Sequence, residues 1–214
     1  MNEIRDLIVG IDFGREYSQI CYYDRKGEEP RSLSMKVGGS QYEAPTCLCR
    51  RTEQKDYCVG LEAEYFAREK GGIMLHDLYG ICEKKDSVVV EGQEYEPWEL
   101  LAEFLKGILK FLGITELVKN TKCIVVTLEE LGNIQVENFR KAFSSMGFPE
   151  GKYMLQDYLL LLCAFTEEGN LEPQCCLVRV HSGKCVFPET DFKRKYETGI
   201  CQTGRTCCQG TSGQ

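Results

Sequence analysis

The chain has 214 residues, 43% hydrophobic and 28% charged, enough apolar material for a packed core and too much for wholesale disorder. Its 33 acidic against 26 basic residues give a net charge of -7, so neither nucleic acid nor an anionic membrane surface is an expected partner. No apolar run approaches the roughly 18 residues of a membrane span, and the charged start, Met1 to Asp6, lacks a signal peptide's apolar stretch, so a cytoplasmic setting is expected.

The run Leu-Ile-Val-Gly-Ile-Asp-Phe-Gly over residues 7–14 predicts a buried strand that ends at a functional turn. A second strand over 17–23 follows so closely that the two form an antiparallel hairpin. Short strands are predicted at 31–36, 44–49 and 57–59, then a helix over 61–70 stopped by Gly71-Gly72. Cys47 and Cys49, two apart, share one face of a strand and read as buried small hydrophobes. The helix signal is strongest over 97–112. Pro97 suits a first turn, Trp98, Leu101, Leu105, Ile108 and Leu112 recur at helical spacing, and Gly113 ends the run. A strand over 123–127 follows, then a helix over 135–146 with Val136, Phe139, Phe143 and Met146 on one face. A strand over 152–155 and an almost wholly apolar helix over 157–166 complete the pattern. This order predicts a mixed α/β layer arrangement with an antiparallel meander at its start.

Residues 1–169 are the expected folded domain and 170–214 an irregular, cysteine-rich tail. The chain has 13 cysteines, six of them in the tail: Cys175, Cys176, Cys185, Cys201, Cys207 and Cys208. No Cys-x-x-Cys pair occurs, so zinc is only weakly supported there. A frayed natural tail and a truncated or frame-shifted gene both account for the change of composition, and the sequence leaves the two open. His76 and His181 are isolated, so no Ser/His/Asp arrangement is defined.

Val9-Gly10-Ile11-Asp12-Phe13-Gly14, followed by Tyr17-Ser18, resembles the first phosphate loop of the actin, hexokinase and heat-shock-chaperone ATPase superfamily. Ala44-Pro45-Thr46-Cys47-Leu48 and Val59-Gly60-x-x-Ala63 are similar to segments of its chaperone-like members, and the later elements follow in the family's order. The resemblance covers roughly residues 5–169, the first of two lobes. It implies a ribonuclease H-like lobe with a mixed five-stranded sheet and helices, and it implies ATP and magnesium as cofactors. Carried over residue by residue, it sets Asp12, Phe13, Gly14, Arg15, Tyr17 and Ser18 around the phosphates. Asp12 would hold magnesium through water, and Asp157 would stand near a catalytic carboxylate. A carboxylate that merely caps the turn amides is the structural alternative for Asp12.

The sequence departs from the family in several places. Arg15 and Glu16 stand where chaperone-like members carry small hydroxyl residues, and the second phosphate motif and the adenosine motif have no counterpart. The chain is thus most similar to divergent bacterial members with a degenerate signature. The implied function is ATP binding with weak or no hydrolysis by this chain alone, completed by a second lobe or a protein partner. The alternative is a non-catalytic scaffold or assembly protein that retains the lobe. A zinc-stabilised tail module is a third reading.

Overall fold

A computed structural model of the chain describes residues 6–24, 29–35, 39, 41–54, 56–157, 179–181 and 184–186. The chain divides into two units, Met1–Asp157 and Tyr158–Gln214. The first unit opens with β1 (Leu7–Phe13), β2 (Tyr17–Asp24), β3 (Glu29–Ser32), β4 (Glu43–Pro45), β5 (Leu48–Arg50) and β6 (Tyr57–Val59). Next come α1 (Gly60–Glu69), β7 (Ile73–Leu75), α2 (Leu78–Cys82), β8 (Val88–Val90), β9 (Gln93–Tyr95) and α3 (Pro97–Leu109), which tightens into a 3-10 turn over Lys110–Leu112. It closes with α4 (Leu117–Asn120), β10 (Thr121–Leu128), α5 (Asn133–Ser145) and β11 (Tyr153–Asp157).

Alternation along β1 sets the architecture. Leu7, Val9, Ile11 and Phe13 are buried, while Ile8, Gly10 and Asp12 on the other face are half-buried. β2 pairs antiparallel with β1, and β10 and then β11 lie parallel on its other side. The order is β11-β10-β1-β2-β3, with β4 also paired to β2, which makes six strands. The expected mixed sheet is present, and β4 adds a strand to the five of the main path.

The expected strand over 44–49 is two strands in two sheets. Thr46 N donates to Glu16 O at 2.7 Å and Cys47 N turns back to Pro45 O at 2.9 Å. The chain therefore leaves the large sheet after β4 and enters a smaller one, β6-β5-β7, against which α1 packs.

α3 and α5 cover the Phe13 face of the large sheet. The Phe13 ring stacks on Tyr79 at 5.5 Å and meets Phe104 and Phe139 edge-on at 5.8 and 5.4 Å. Each such burial contributes about 1.5–3 kcal/mol, which outweighs any local propensity. α3 follows its sequence pattern, with Leu101, Leu105 and Ile108 buried and Gly113 left-handed after it. On α5 the expected Phe139 and Phe143 are buried and Met146 packs against the core, but Val136 is 38% exposed, and Gln135 and Asn138 are buried beside that face instead. The cause is polar. Asn138 Nδ2 donates to Cys82 O at 2.9 Å and Lys84 O at 3.0 Å, which satisfies carbonyls at the end of α2.

β11 runs through Asp157, so the helix expected over 157–166 does not begin at that residue. The rest of that helix, the boundary near 169 and most of the tail lie outside the described residues. In the second unit, β12 (Arg179–His181) and β13 (Lys184–Val186) form an antiparallel pair. No helix among the described residues is long and apolar enough to cross a membrane.

Candidate functional site

Because β1, β10 and β11 are parallel, their carboxyl ends gather at one edge of the sheet, the edge at which α/β sheets hold ligands. Asp12 is in register with Thr127, and Thr127 with Gln156. Partners in register point to the same face of the sheet. Thr127 Oγ1 donates to Asp12 Oδ1 at 3.4 Å. Asp12, Thr127 and Gln156 thus make a polar row on the half-buried face.

Asp157 is not part of that row. It is in register with Leu128, as Phe13 is, and so belongs to the face on which Tyr153 stacks on Phe143 of α5 at 4.6 Å. The structure places the proposed catalytic carboxylate and the proposed magnesium-side carboxylate on opposite faces, and Gln156 holds the position beside Asp12's row.

The turn after β1 is built differently from an open phosphate cradle. Phe13 is 0% exposed, backbone included, and Gly14 is buried behind it, so within the turn only Arg15 and Glu16 meet solvent. Arg15 Nη2 donates to Glu83 Oε1 at 3.0 Å, its Nε lies 3.4 Å from Glu129 Oε2, and its guanidinium carbon sits 4.3 Å above the Tyr79 ring. Partial burial works against the Arg15 charge, but Glu83, helped by Tyr79 and Glu129, outweighs it and holds the pKa above its ordinary value. Tyr79 is anchored in turn, its hydroxyl donating to Glu130 O at 3.2 Å and accepting from Glu130 N at 3.3 Å. Tyr17, 53% exposed, flanks the turn. The Ser18 hydroxyl is buried in a 2.7 Å hydrogen bond with the Thr46 hydroxyl, and either can be the donor.

Magnesium keeps most of its waters and needs only one or two carboxylates plus phosphate oxygens. Asp12, beside the Thr127 hydroxyl, could supply one such carboxylate. Among the described residues no group of three or more His, Cys, Asp or Glu side chains is placed to hold a metal by itself, and the tail cysteines lie outside them apart from the β13 strand.

Thr127, Gln156, Glu83, Glu129, Tyr79 and Thr46 were not singled out by the sequence. Thr127 and Gln156 follow only once the parallel register is known. The Arg15 partners lie 68 and 114 positions away, and no local pattern signals them.

The model of a family of unknown function, the C-terminal part of DUF5716, matches residues 29–166, a span that begins at β3 and leaves out the β1–β2 turn. No curated protein matches the sequence. Among solved structures, a non-polymerising mutant of MamK bound to AMPPNP matches with a TM-score of 0.50 and 11% identity, over 78% of this chain and 45% of that one. The likeness is one of fold, that of an actin-like protein, and this chain spans less than half of that protein's length.

Proposed function

Taking as premise that the chain belongs to the DUF5716 family, we propose that it is an actin-like nucleotide-binding protein. In this reading its β1–β2 turn receives the phosphates of Mg-ATP, and the chain alone hydrolyses ATP weakly or not at all. The observation that carries the reading is the position of Asp12 at the carboxyl edge of β1, within hydrogen-bond range of Thr127 on a half-buried face. The strand order β3-β2-β1-β10-β11, with β2 alone antiparallel along that path, supports a ribonuclease H-like lobe. Asp12 would hold magnesium through water, Arg15 and the turn amides would meet phosphate oxygens, and Tyr17 would border the site. When bound, magnesium would offset the negative charge of the phosphates, with Asp12 holding its water shell. Asp157 faces away from this row, so a hydrolytic carboxylate would come from a second lobe or a protein partner. A chaperone-like setting in the cytoplasm, with neither nucleic acid nor membrane as partner, accompanies this reading.

A specific observation favours a second reading, a non-catalytic scaffold that keeps the lobe. Arg15 is already held by two glutamates and the Ser18 hydroxyl is spent on Thr46. One calorimetric titration separates the two. Mg-ATP should bind the wild type and bind Asp12→Asn about tenfold more weakly, a loss of about 1.4 kcal/mol. Equal affinities, or no binding by either protein, would leave the scaffold reading.

A further inference from the structure

Cys47, Cys49, Cys58 and Ala63 form a small buried cluster beneath α1, separate from the main core and edged by Phe66, Ala67 and Met74. Cys49 and Cys58 face each other across the antiparallel ladder of β5 and β6. Arg51 N donates to Asp56 O at 2.9 Å and Gly60 N to Cys47 O at 3.3 Å. Alternation along the ladder then makes Cys49 and Cys58 a hydrogen-bonded pair, whose Cα atoms stand about 5.5 Å apart. Disulfides span Cα separations of about 4.4–6.8 Å. The Cys58 thiol lies against Cys49 O at 3.6 Å, and the space beside the Cys49 sulfur is kept open by Gly72, whose missing Cβ would sit 2.4 Å from it.

We propose that Cys49 and Cys58 close a reversible disulfide, stapling β5 to β6, when the protein meets a low-molecular-weight disulfide of the glutathione class. One protein thiolate attacks a sulfur of the oxidant and expels its first thiolate. The facing protein thiol, deprotonated, then attacks the mixed disulfide and expels the second. The protein gives up two electrons and two protons, and the oxidant becomes two thiols.

Two features set the character of this bond. Directly opposed Cβ atoms lie about 4.5–5.5 Å apart and are farther apart in hydrogen-bonded pairs, whereas a disulfide wants about 3.8 Å. Closure therefore draws the strands together, and the strained bond is readily reduced. Burial also pushes the Cys58 thiol up to about 12, so little thiolate exists at neutral pH. The response is consequently slow and waits on outward movement of β6, a three-residue edge strand.

The test uses the full chain, reduced, exposed to oxidised glutathione, alkylated and digested with trypsin. Trypsin cuts after Arg50, Arg51 and Lys55, so the bond joins two otherwise separate peptides. The expected product is that linked pair, lighter by two hydrogens, lost on adding dithiothreitol, absent from Cys58→Ala and Cys49→Ala, and retained in Cys47→Ala. In folded protein it should form slowly, and faster in mild urea, as the outward movement of β6 requires. The proposal is overturned if the exposed Cys21 takes up glutathione while Cys49 and Cys58 remain thiols. It is equally overturned if the folded chain, held at a strongly oxidising glutathione ratio without denaturant, never forms the link.

Discussion

At the scale of single residues, Phe13 shows how a motif position is also a core position. Its ring meets Tyr79, Phe104 and Phe139, so Phe13→Ala should cost about 3–5 kcal/mol in urea unfolding, whatever it does to ligand binding. A smaller loss would mean that the site collapses around the gap. The Ser18–Thr46 pair gives a subtler case. Ser18→Ala strands a buried threonine hydroxyl and should cost about 1–3 kcal/mol. Adding Thr46→Val should recover part of that loss, and a double-mutant cycle by thermal unfolding reads the coupling. The buried thiols predict a pH dependence. Burial, with Glu64 and Cys49 behind it, raises Cys47 from 9.0 to about 11. Between those values the unfolded chain ionises at Cys47 and the folded chain does not. Stability is therefore intact below about pH 9 and falls as pH rises towards 11. Urea midpoints across this range should fall less steeply in Cys47→Ala.

At the scale of elements, Gly107 within α3 decides a contest of magnitudes. Alanine there gains about 1 kcal/mol of helix propensity. Its Cβ, however, would stand 2.5 Å from Val59 Cγ1 and 2.8 Å from Cγ2, an overpacking that costs about 1–3 kcal/mol. Gly107→Ala should destabilise the wild type and cost markedly less in the Val59→Ala variant, where only the Cβ at 3.2 Å remains in the way, a difference visible in melting temperatures. The sequence showed β1, β2 and α3 because their apolar periods are long and unbroken. It did not show β7, β8 or β9, which at three residues each carry no period and exist through their partners. On α5 it found Phe139, Phe143 and Met146 but missed Gln135 and Asn138, which look like solvent residues until the carbonyls ending α2 are placed beside Asn138. Asp12 stood out in a legible turn. Whether Gln156 or Asp157 shares its face depends on a register between strands some 30 residues apart in sequence, which no local spacing encodes.

At the scale of the whole first unit, one apolar cluster runs from Leu7 in β1 through Leu48 and Val59 of the small sheet to Phe148 before β11. A core shared in this way unfolds as one body. Fluorescence of the single tryptophan, Trp98, and far-UV circular dichroism should report the same urea midpoint for this unit, and an earlier fluorescence transition would contradict a shared core. The two faces of the large sheet differ in what they tolerate. Val126 is fully buried, whereas Val125 is half-buried beside Gly10. Val126→Asp should prevent folding because an unpaired charge enters the core. Val125→Asp should leave a folded protein of lower stability, a contrast that solubility and circular dichroism check.

The grip of Glu83 and Glu129 on Arg15 also governs how this turn can change over generations. Replacing Arg15 with serine would leave the Glu83 and Glu129 carboxylates without the counter-ion they share. The single change is therefore penalised whatever the serine hydroxyl could bind. Glutamine at 83 and 129 removes the repulsion in advance. Arg15→Ser should consequently lower the melting temperature in the native background and be close to neutral in the doubly neutralised one. The three positions form an epistatic lock, in which the order of substitutions decides which hairpin chemistry is reachable.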